Sequence, residues 1–250
     1  NQFPSVTIII PYKDEIPTTA RCLEAIQKYT RYPNYKVILV NNWSITKEAG
    51  TFAQKVEKIS NVEILTVKEP FNYSRINNLA AKNDTSDFLL FLNNDVFVEQ
   101  EHWLETLVNE ALADPQVAIV GGKFVYPNQT VQHAGVLLGI GDVAGHAHVG
   151  IPRNEGGYAG RAYFPQEISA VTAAGMLIRR QAFELVGGFD EEHLKVAFND
   201  IDLCLKVRAA GYKVIWTPDF CAEHNASLSR GSDDRPSTER RFFHETQFMI

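Results

Sequence analysis

The sequence predicts an α/β fold: a doubly wound, mostly parallel sheet with helices on both faces, followed by a smaller, less regular region. Three observations carry that prediction. Short apolar, β-branched runs alternate with helical patterns over roughly the first hundred residues. Polar clusters follow the first, second and fourth runs, where a parallel sheet offers its carboxyl ends to a ligand. A chain of 250 residues, 45% hydrophobic, is long enough to enclose one full core.

Residues 6–10 form an apolar run closed by Pro11, the pattern of a strand buried on both faces. Residues 18–28 set Ala20, Leu23, Ala25 and Ile26 at helical spacing behind Pro17 and Thr18, which act as a start signal. A second strand over 36–40 ends in Asn41-Asn42-Trp43-Ser44, a second helix covers 51–59, and a third strand covers 62–67. Residues 73–82 read as a helix, and the apolar run 87–92 leads straight into Asn93-Asn94-Asp95. Beyond it lie glycine-rich stretches at 139–150 and 156–160 and an apolar segment over 171–178. A helix stop follows at Gly187-Gly188, then a helix over 201–210 ended by Gly211, and a last strand over 212–216. One domain is expected, with a regularly alternating half near 1–98 and a less regular half near 99–250. The chain opens just before a strand and stops at Phe248-Met249-Ile250 inside a helical pattern, as expected of a segment of a longer protein.

Net charge excludes one class of partner. At −6, with Lys and Arg scattered, there is no basic stripe for nucleic acid. Cys22, Cys204 and Cys221 are odd in number and fit neither a disulfide framework nor a zinc knuckle, so a reducing, cytoplasmic setting is expected. No run approaches eighteen apolar residues, so no membrane segment is expected within this sequence; any contact with the inner face of a membrane would lie outside it.

Three groups of residues carry chemistry. Asp95, delivered by an apolar strand, can hold a divalent cation, although an Asx turn explains the same residues. Asp200 and Asp202, at the head of an amphipathic helix, suit capping or, for a carboxylate facing a hydroxyl, general base work. His224, a short loop beyond the last strand, is a competent metal ligand, whereas His146 and His148 make a weak pair and suit structural or surface roles. Trp103 and Trp216 could stack on sugars, but their apolar surroundings point to burial.

Taken in order, Ile8-Ile9-Ile10-Pro11-Tyr12, Val40-Asn41-Asn42-Trp43-Ser44, Leu92-Asn93-Asn94-Asp95, Asn199-Asp200-Ile201-Asp202 and the stretch from His224 to Gly231 resemble family 2 glycosyltransferases. The residues from Phe71 to Asn78, His133-Ala134-Gly135 and Ala144-Gly145-His146-Ala147-His148 resemble its bacterial branch linked to O-antigen and other surface polysaccharides. The resemblance implies the Rossmann-like GT-A fold and inverting transfer of a hexose or deoxyhexose from a nucleoside diphosphate, of UDP or dTDP type, to a glycan or lipid-linked glycan. It implies Mn2+ or Mg2+ held by Asp95 and His224, with Asp200 as general base. Pro11, Tyr12 and Asp14 would border the nucleobase pocket, Asn41 would lie beside the base or ribose, and Asn77 and Asn78 would close the pocket. Asn94 would contact ribose or phosphate, Arg230 the diphosphate, and Gly175 and Met176 would line the acceptor side.

Asn41 and Asn93 stand where many members of that family carry Asp, and Asn199 where Glu is commoner. Fewer carboxylates should weaken the hold on a cation and leave more of it to the donor phosphates. A nucleotidyltransferase would want a glycine-rich, basic loop after the first strand, which Pro11-Tyr12-Lys13-Asp14 is not. An inactive nucleotide- or carbohydrate-binding domain of the same fold is favoured by the Asn substitutions, and opposed by Asp95, Asp200 and His224 together.

Overall fold

The computed structural model describes residues 3–225 and 236–250. Its first half follows the expected alternation: β1 (Val6–Tyr12), α1 (Ile16–Tyr29), β2 (Tyr35–Asn41), α2 (Lys47–Val56), β3 (Val62–Thr66), α3 (Tyr73–Lys82) and β4 (Phe88–Leu92). The second helix begins earlier than its apolar pattern suggested, because the Thr46 side chain accepts from the amide of Ala49 at 3.1 Å and caps it. These strands lie in the order β3, β2, β1, β4, all parallel.

The second half is more regular than its composition suggested. After the short β5 (Val96–Phe97) come α4 (Trp103–Ala113) and β6 (Val117–Val125), a nine-residue strand buried along its whole length. The glycine-rich region contains the short strands β7 (Val131–His133), β8 (Val136–Leu138), β9 (Ala144–His146) and β10 (Gln166–Glu167). The apolar segment becomes β11 (Gly175–Arg179), followed by α5 (Arg180–Leu185), α6 (Asn199–Ala209), β12 (Lys213–His224) and α7 (Pro236–Met249).

The main sheet continues from β4 through β11 to β6 and β12, so it crosses the expected boundary between the halves. β11 is antiparallel to both β4 and β6, while β12 is parallel to β6. β1, β2, β3, β4, β6 and β12 therefore point the same way, and their carboxyl ends form one rim. β11 runs against them, so its amino-terminal end reaches that rim, with Gly175 opposite Leu92. One face of the sheet packs the core built with α1, α2 and α4; the other packs α3, α5 and α6. Trp103 and Trp216 are both fully buried, as their surroundings suggested, and donate to Thr30 Oγ1 at 3.0 Å and to the Gly122 carbonyl at 2.9 Å. Among the described residues no helix is long and apolar enough to cross a membrane.

The opposite rim is tied by a buried ion pair. Asp84 has a side chain only 2% exposed, pairs with Arg180, and lies 3.2 Å from Lys36 Nζ. Arg180 also donates to the Ala81 carbonyl at 3.1 Å. Burial raises the pKa of Asp84, but hydrogen bonds from Ser86 and Lys36 outweigh it and hold the carboxyl below its ordinary value. Its contribution is therefore complete above the ordinary carboxylate range and is lost as pH falls through the lowered pKa. Asp84→Asn should cost about 3–5 kcal/mol at pH 7, because it strands the Arg180 charge. Urea midpoints of the two proteins should converge in acid; a gap independent of pH would refute the assignment.

Candidate active site

The site forms on the rim because β5 and β12 pair in a fixed antiparallel register, with His224 opposite Val96. That register sets Asp95, the residue before Val96, beside the imidazole: His224 Nε2 lies 3.2 Å from Asp95 Oδ1. The Asn225 amide donates to the Asp95 carbonyl at 3.0 Å and extends the pairing. His224 is thus the last residue of a twelve-residue strand, not part of a loop beyond it. The pattern reading ended the strand at Trp216 because Pro218 interrupts it; the pairing with β6 shifts register between Trp216 and Cys221 and then resumes.

Gln132, on β7, decides what His224 can do. Its Oε1 lies 2.6 Å from His224 Nδ1, and its Nε2 donates to the His224 carbonyl at 3.2 Å. Because the amide nitrogen is committed to that carbonyl, the amide oxygen faces the ring and takes the Nδ1 proton. In the neutral ring Nε2 is then the acceptor and faces Asp95, and Asn93 Nδ2 approaches the same nitrogen at 3.4 Å, as a donor would. A lone pair and a carboxylate oxygen face each other, which a small divalent cation between them would satisfy. Ligands about 2.1 Å from one such ion, at a right angle, lie about 3 Å apart. Both side chains are nearly enclosed, 10% and 1% exposed. No third His, Cys, Asp or Glu joins them among the described residues.

Asp200 opens α6 and is held by two amides: Oδ1 accepts from Ile201 at 2.9 Å and Oδ2 from Ala173 at 3.1 Å. Asp202, its neighbour in the sequence, is instead paired with Lys206 at 2.9 Å, an ordinary helix ion pair. The approach to α6 is fixed from α7, where the buried Glu245 accepts from the amides of Val196 at 2.8 Å and Ala197 at 3.2 Å.

Asp200 and His224 belong to one continuous network. Gln132 holds His224; the next residue, His133, accepts from the Thr172 amide at 3.5 Å; and the amide after that, Ala173, holds Asp200. Phe124 supports it from beneath, its ring 5.9 Å from that of His133 and 5.8 Å from that of His224. Gln132, Phe124 and Glu245 had no signal in the sequence, because none belongs to a recognisable spacing.

Where β1 and β2 end, they bring Pro11, Tyr12, Asp14 and Asn41 together. The Asp14 amide donates to Ser44 Oγ at 2.6 Å, and the Asn41 side chain accepts from the Ser44 amide at 2.8 Å, closing both loops on each other. Tyr12 Oη, Asp14 Oδ1 and Asn42 Oδ1 are buried without a hydrogen-bond partner among the described residues. Such orphaned atoms carry a desolvation cost that a polar ligand would relieve. Burial pushes the Tyr12 phenol up to about 12, so it remains a donor.

Five expected site residues lie elsewhere or do other work. Asn77 is fully buried and donates to the carbonyl of Tyr73 at 2.8 Å, one turn back in its own helix. Asn78 clamps Phe189, donating to its carbonyl at 2.9 Å and accepting from its amide at 3.0 Å. Packing engages both ends of the Asn78 amide, whereas Asn77 Oδ1 stays buried without a hydrogen-bond partner among the described residues. Asn94 is also buried and donates to Thr19 Oγ1 at 3.0 Å, which ties the turn to α1 instead of presenting it to ribose or phosphate. Met176 is a core residue between β4 and β6, and Gly175 is buried against Phe124. Ala173, two residues before Gly175, is the residue whose amide holds Asp200. Arg230 lies outside the described residues. The apolar groove between α1 and α2, about 710 Å³ and lined by Ile16, Leu23, Phe52 and Ile59, shares no residue with this cluster.

A Cβ added at Gly175 would sit 2.6 Å from Phe124 Cζ. Gly175→Ala should therefore push the ring that supports both histidines and cost about 1–3 kcal/mol, read from the urea midpoint. An unchanged midpoint would mean that the ring yields freely.

A model described as "Glycosyl transferase family 2" matches residues 7–187, a span that includes Asp95 but ends before Asp200 and His224. The Sinorhizobium fredii protein y4gI is 44% identical over 98% of this chain, and the O-antigen biosynthesis protein RfbC of Myxococcus xanthus is 38% identical over 94%. The chain spans 27% and 18% of the lengths of these two relatives. Among solved structures, GalNAc-T7 with UDP, GalNAc and Mn2+ aligns with a TM-score of 0.76 at 14% identity, over 99% of this chain and 48% of its own. That likeness identifies the fold as GT-A.

Proposed function

Because the chain belongs to glycosyl transferase family 2, we propose that it is an inverting, divalent-metal-dependent transferase. In this reading it moves a hexose or deoxyhexose from a UDP- or dTDP-type donor to a glycan or lipid-linked glycan in bacterial surface-polysaccharide synthesis. One observation carries the reading: the paired lone pairs of Asp95 and His224 and the carboxylate of Asp200 are joined by a single hydrogen-bonded network at the sheet rim. The RfbC relative supports the O-antigen setting, and the Mn2+ and UDP of the GalNAc-T7 structure support the choice of metal and donor class. Three buried free thiols fit a reducing, cytoplasmic environment.

Asp95 and His224 would hold the cation, Mn2+ or Mg2+, beside the donor diphosphate; when bound, it offsets the negative charge that the leaving diphosphate gains. The unpartnered Tyr12, Asp14 and Asn42 atoms would receive the nucleoside. The amides of Ala173 and Ile201 hold Asp200 in one orientation, and each of its oxygens keeps a lone pair for a proton. As the acceptor oxygen bonds to the anomeric carbon, the bond from that carbon to the diphosphate oxygen breaks and its electron pair leaves with the diphosphate. The hydroxyl proton passes to Asp200. Attack from the side opposite the leaving group inverts the centre.

Calorimetric titration with UDP, dTDP, GDP and their sugars, with and without Mn2+, tests this reading directly. Binding that depends on the metal is expected; failure of every nucleotide to bind would favour the inactive carbohydrate-binding alternative. EDTA, or His224→Ala in a protein of unchanged circular dichroism, should remove that binding; persistence would refute the metal assignment. Asp200→Asn should lower transfer about 10²–10⁴-fold with the nucleotide Kd unchanged. Near-normal turnover in that variant would exclude Asp200 as the base.

A further inference from the structure

His133 and His146 lie outside the roles assigned so far, and their hydrogen bonds determine each other's tautomers. His133 Nε2 faces two backbone amides, Gly135 at 3.3 Å and Thr172 at 3.5 Å. Backbone amides only donate, so that nitrogen carries no proton. Burial first, then the neighbouring His146 and His224, push the pKa of His133 well below its ordinary value, so the ring is neutral near pH 7 and its one proton sits on Nδ1.

His133 Nδ1 lies 2.8 Å from His146 Nδ1, with the ring centroids 4.9 Å apart. The His133 proton must point along this contact, so His146 Nδ1 accepts it. Desolvation keeps His146 below its ordinary pKa, with Asp200 opposing and His224 adding to that effect. A neutral His146 that accepts at Nδ1 must carry its proton at Nε2. That N–H has no partner among the described residues, and the ring is exposed at the end of β9. The ring is tied to Asp200 and His224 through His133, which accepts from Thr172 beside the Ala173 amide that holds Asp200, and which follows the Gln132 that holds His224.

We propose that His146 is a sugar-binding residue, whose Nε2–H, oriented by His133, donates to a hydroxyl oxygen of the sugar held between Asp200 and His224. The assignment rests on the transferase reading above. It differs from the weak metal-ligand role that the spacing of His146 and His148 allowed, because Nδ1 is already engaged and Nε2 is protonated. His133 acts through His146 and is a positioning residue: as the second member it turns a side chain with two tautomers into a donor of one polarity.

Two measurements on the full chain test the proposal. Two-bond proton–nitrogen spectra of ¹⁵N-histidine protein at pH 8, assigned with single-histidine variants, should report Nδ1–H for His133 and Nε2–H for His146. The opposite tautomer at either ring overturns it. Calorimetry with Mn2+ then compares UDP and dTDP with UDP-glucose, UDP-N-acetylglucosamine and dTDP-rhamnose. His146→Phe should bind the bare diphosphates as the wild type does and the bound sugar nucleotide about three- to tenfold more weakly. His146→Gln, which keeps an N–H donor near the same place, should recover most of the loss. Equal weakening of diphosphate and sugar nucleotide, or no weakening of either, sinks the sugar contact alone. Wild-type protein that binds none of these ligands sinks the transferase reading, and the sugar contact with it.

Discussion

The hydrogen bond between His224 and Gln132 is the constraint on which the rest of the site depends. It selects one tautomer of a nearly enclosed ring, aims a lone pair at Asp95, and fixes β7 beside β12. Because Gln132 and His133 are consecutive, holding one holds the other. The same short strand therefore reaches the Asp95–His224 pair through one side chain and, through the other, the loop that orients Asp200. A buried polar network of this kind is rigid only while its members are satisfied, and here Gln132 meets both the ring and the carbonyl of His224 while His133 meets two backbone amides.

The sheet makes that network available. Inserting β11 antiparallel between β4 and β6 brings Thr172, Ala173 and Gly175 to the rim where β1, β2 and β4 end. Had β11 run parallel, its amino-terminal end would lie at the opposite rim, beside the Asp84–Arg180 pair, and Asp200 would lose the Ala173 amide. The two rims thus divide the work. One is closed by a buried ion pair that joins α3, β2, β4 and α5; the other leaves buried atoms of Tyr12, Asp14 and Asn42 without a hydrogen-bond partner among the described residues. Phe124 couples the second rim to the core, since the ring beneath both histidines belongs to the longest fully buried strand.

Legibility in the sequence followed the range of the interactions. Asp95 was legible because a turn directly after an apolar strand is a local pattern, and Asp200 because a carboxylate at a helix head is another. Asn78 and Asn94 carried the right residue types in the right order, yet tertiary packing had committed them to Phe189 and Thr19, while Asn77 donates one turn back in its own helix to Tyr73. Gly175 and Met176 lie two and three residues beyond Ala173, inside β11, where pairing with β4 and β6 buries them. β6 escaped notice because a continuously buried strand lacks the alternation that marks a half-exposed one.

By itself, the sequence determined the alternation of strand and helix, the placing of polar clusters after β1, β2 and β4, and the family, because period, propensity and motif order are properties of neighbouring residues. Only the tertiary structure decided which polar groups would meet. His224 lies 92 residues from Gln132, and Asp200 lies 27 from Ala173. Separations of that size are closed by strand register and sheet order, set by the whole apolar core together, and no local pattern records them.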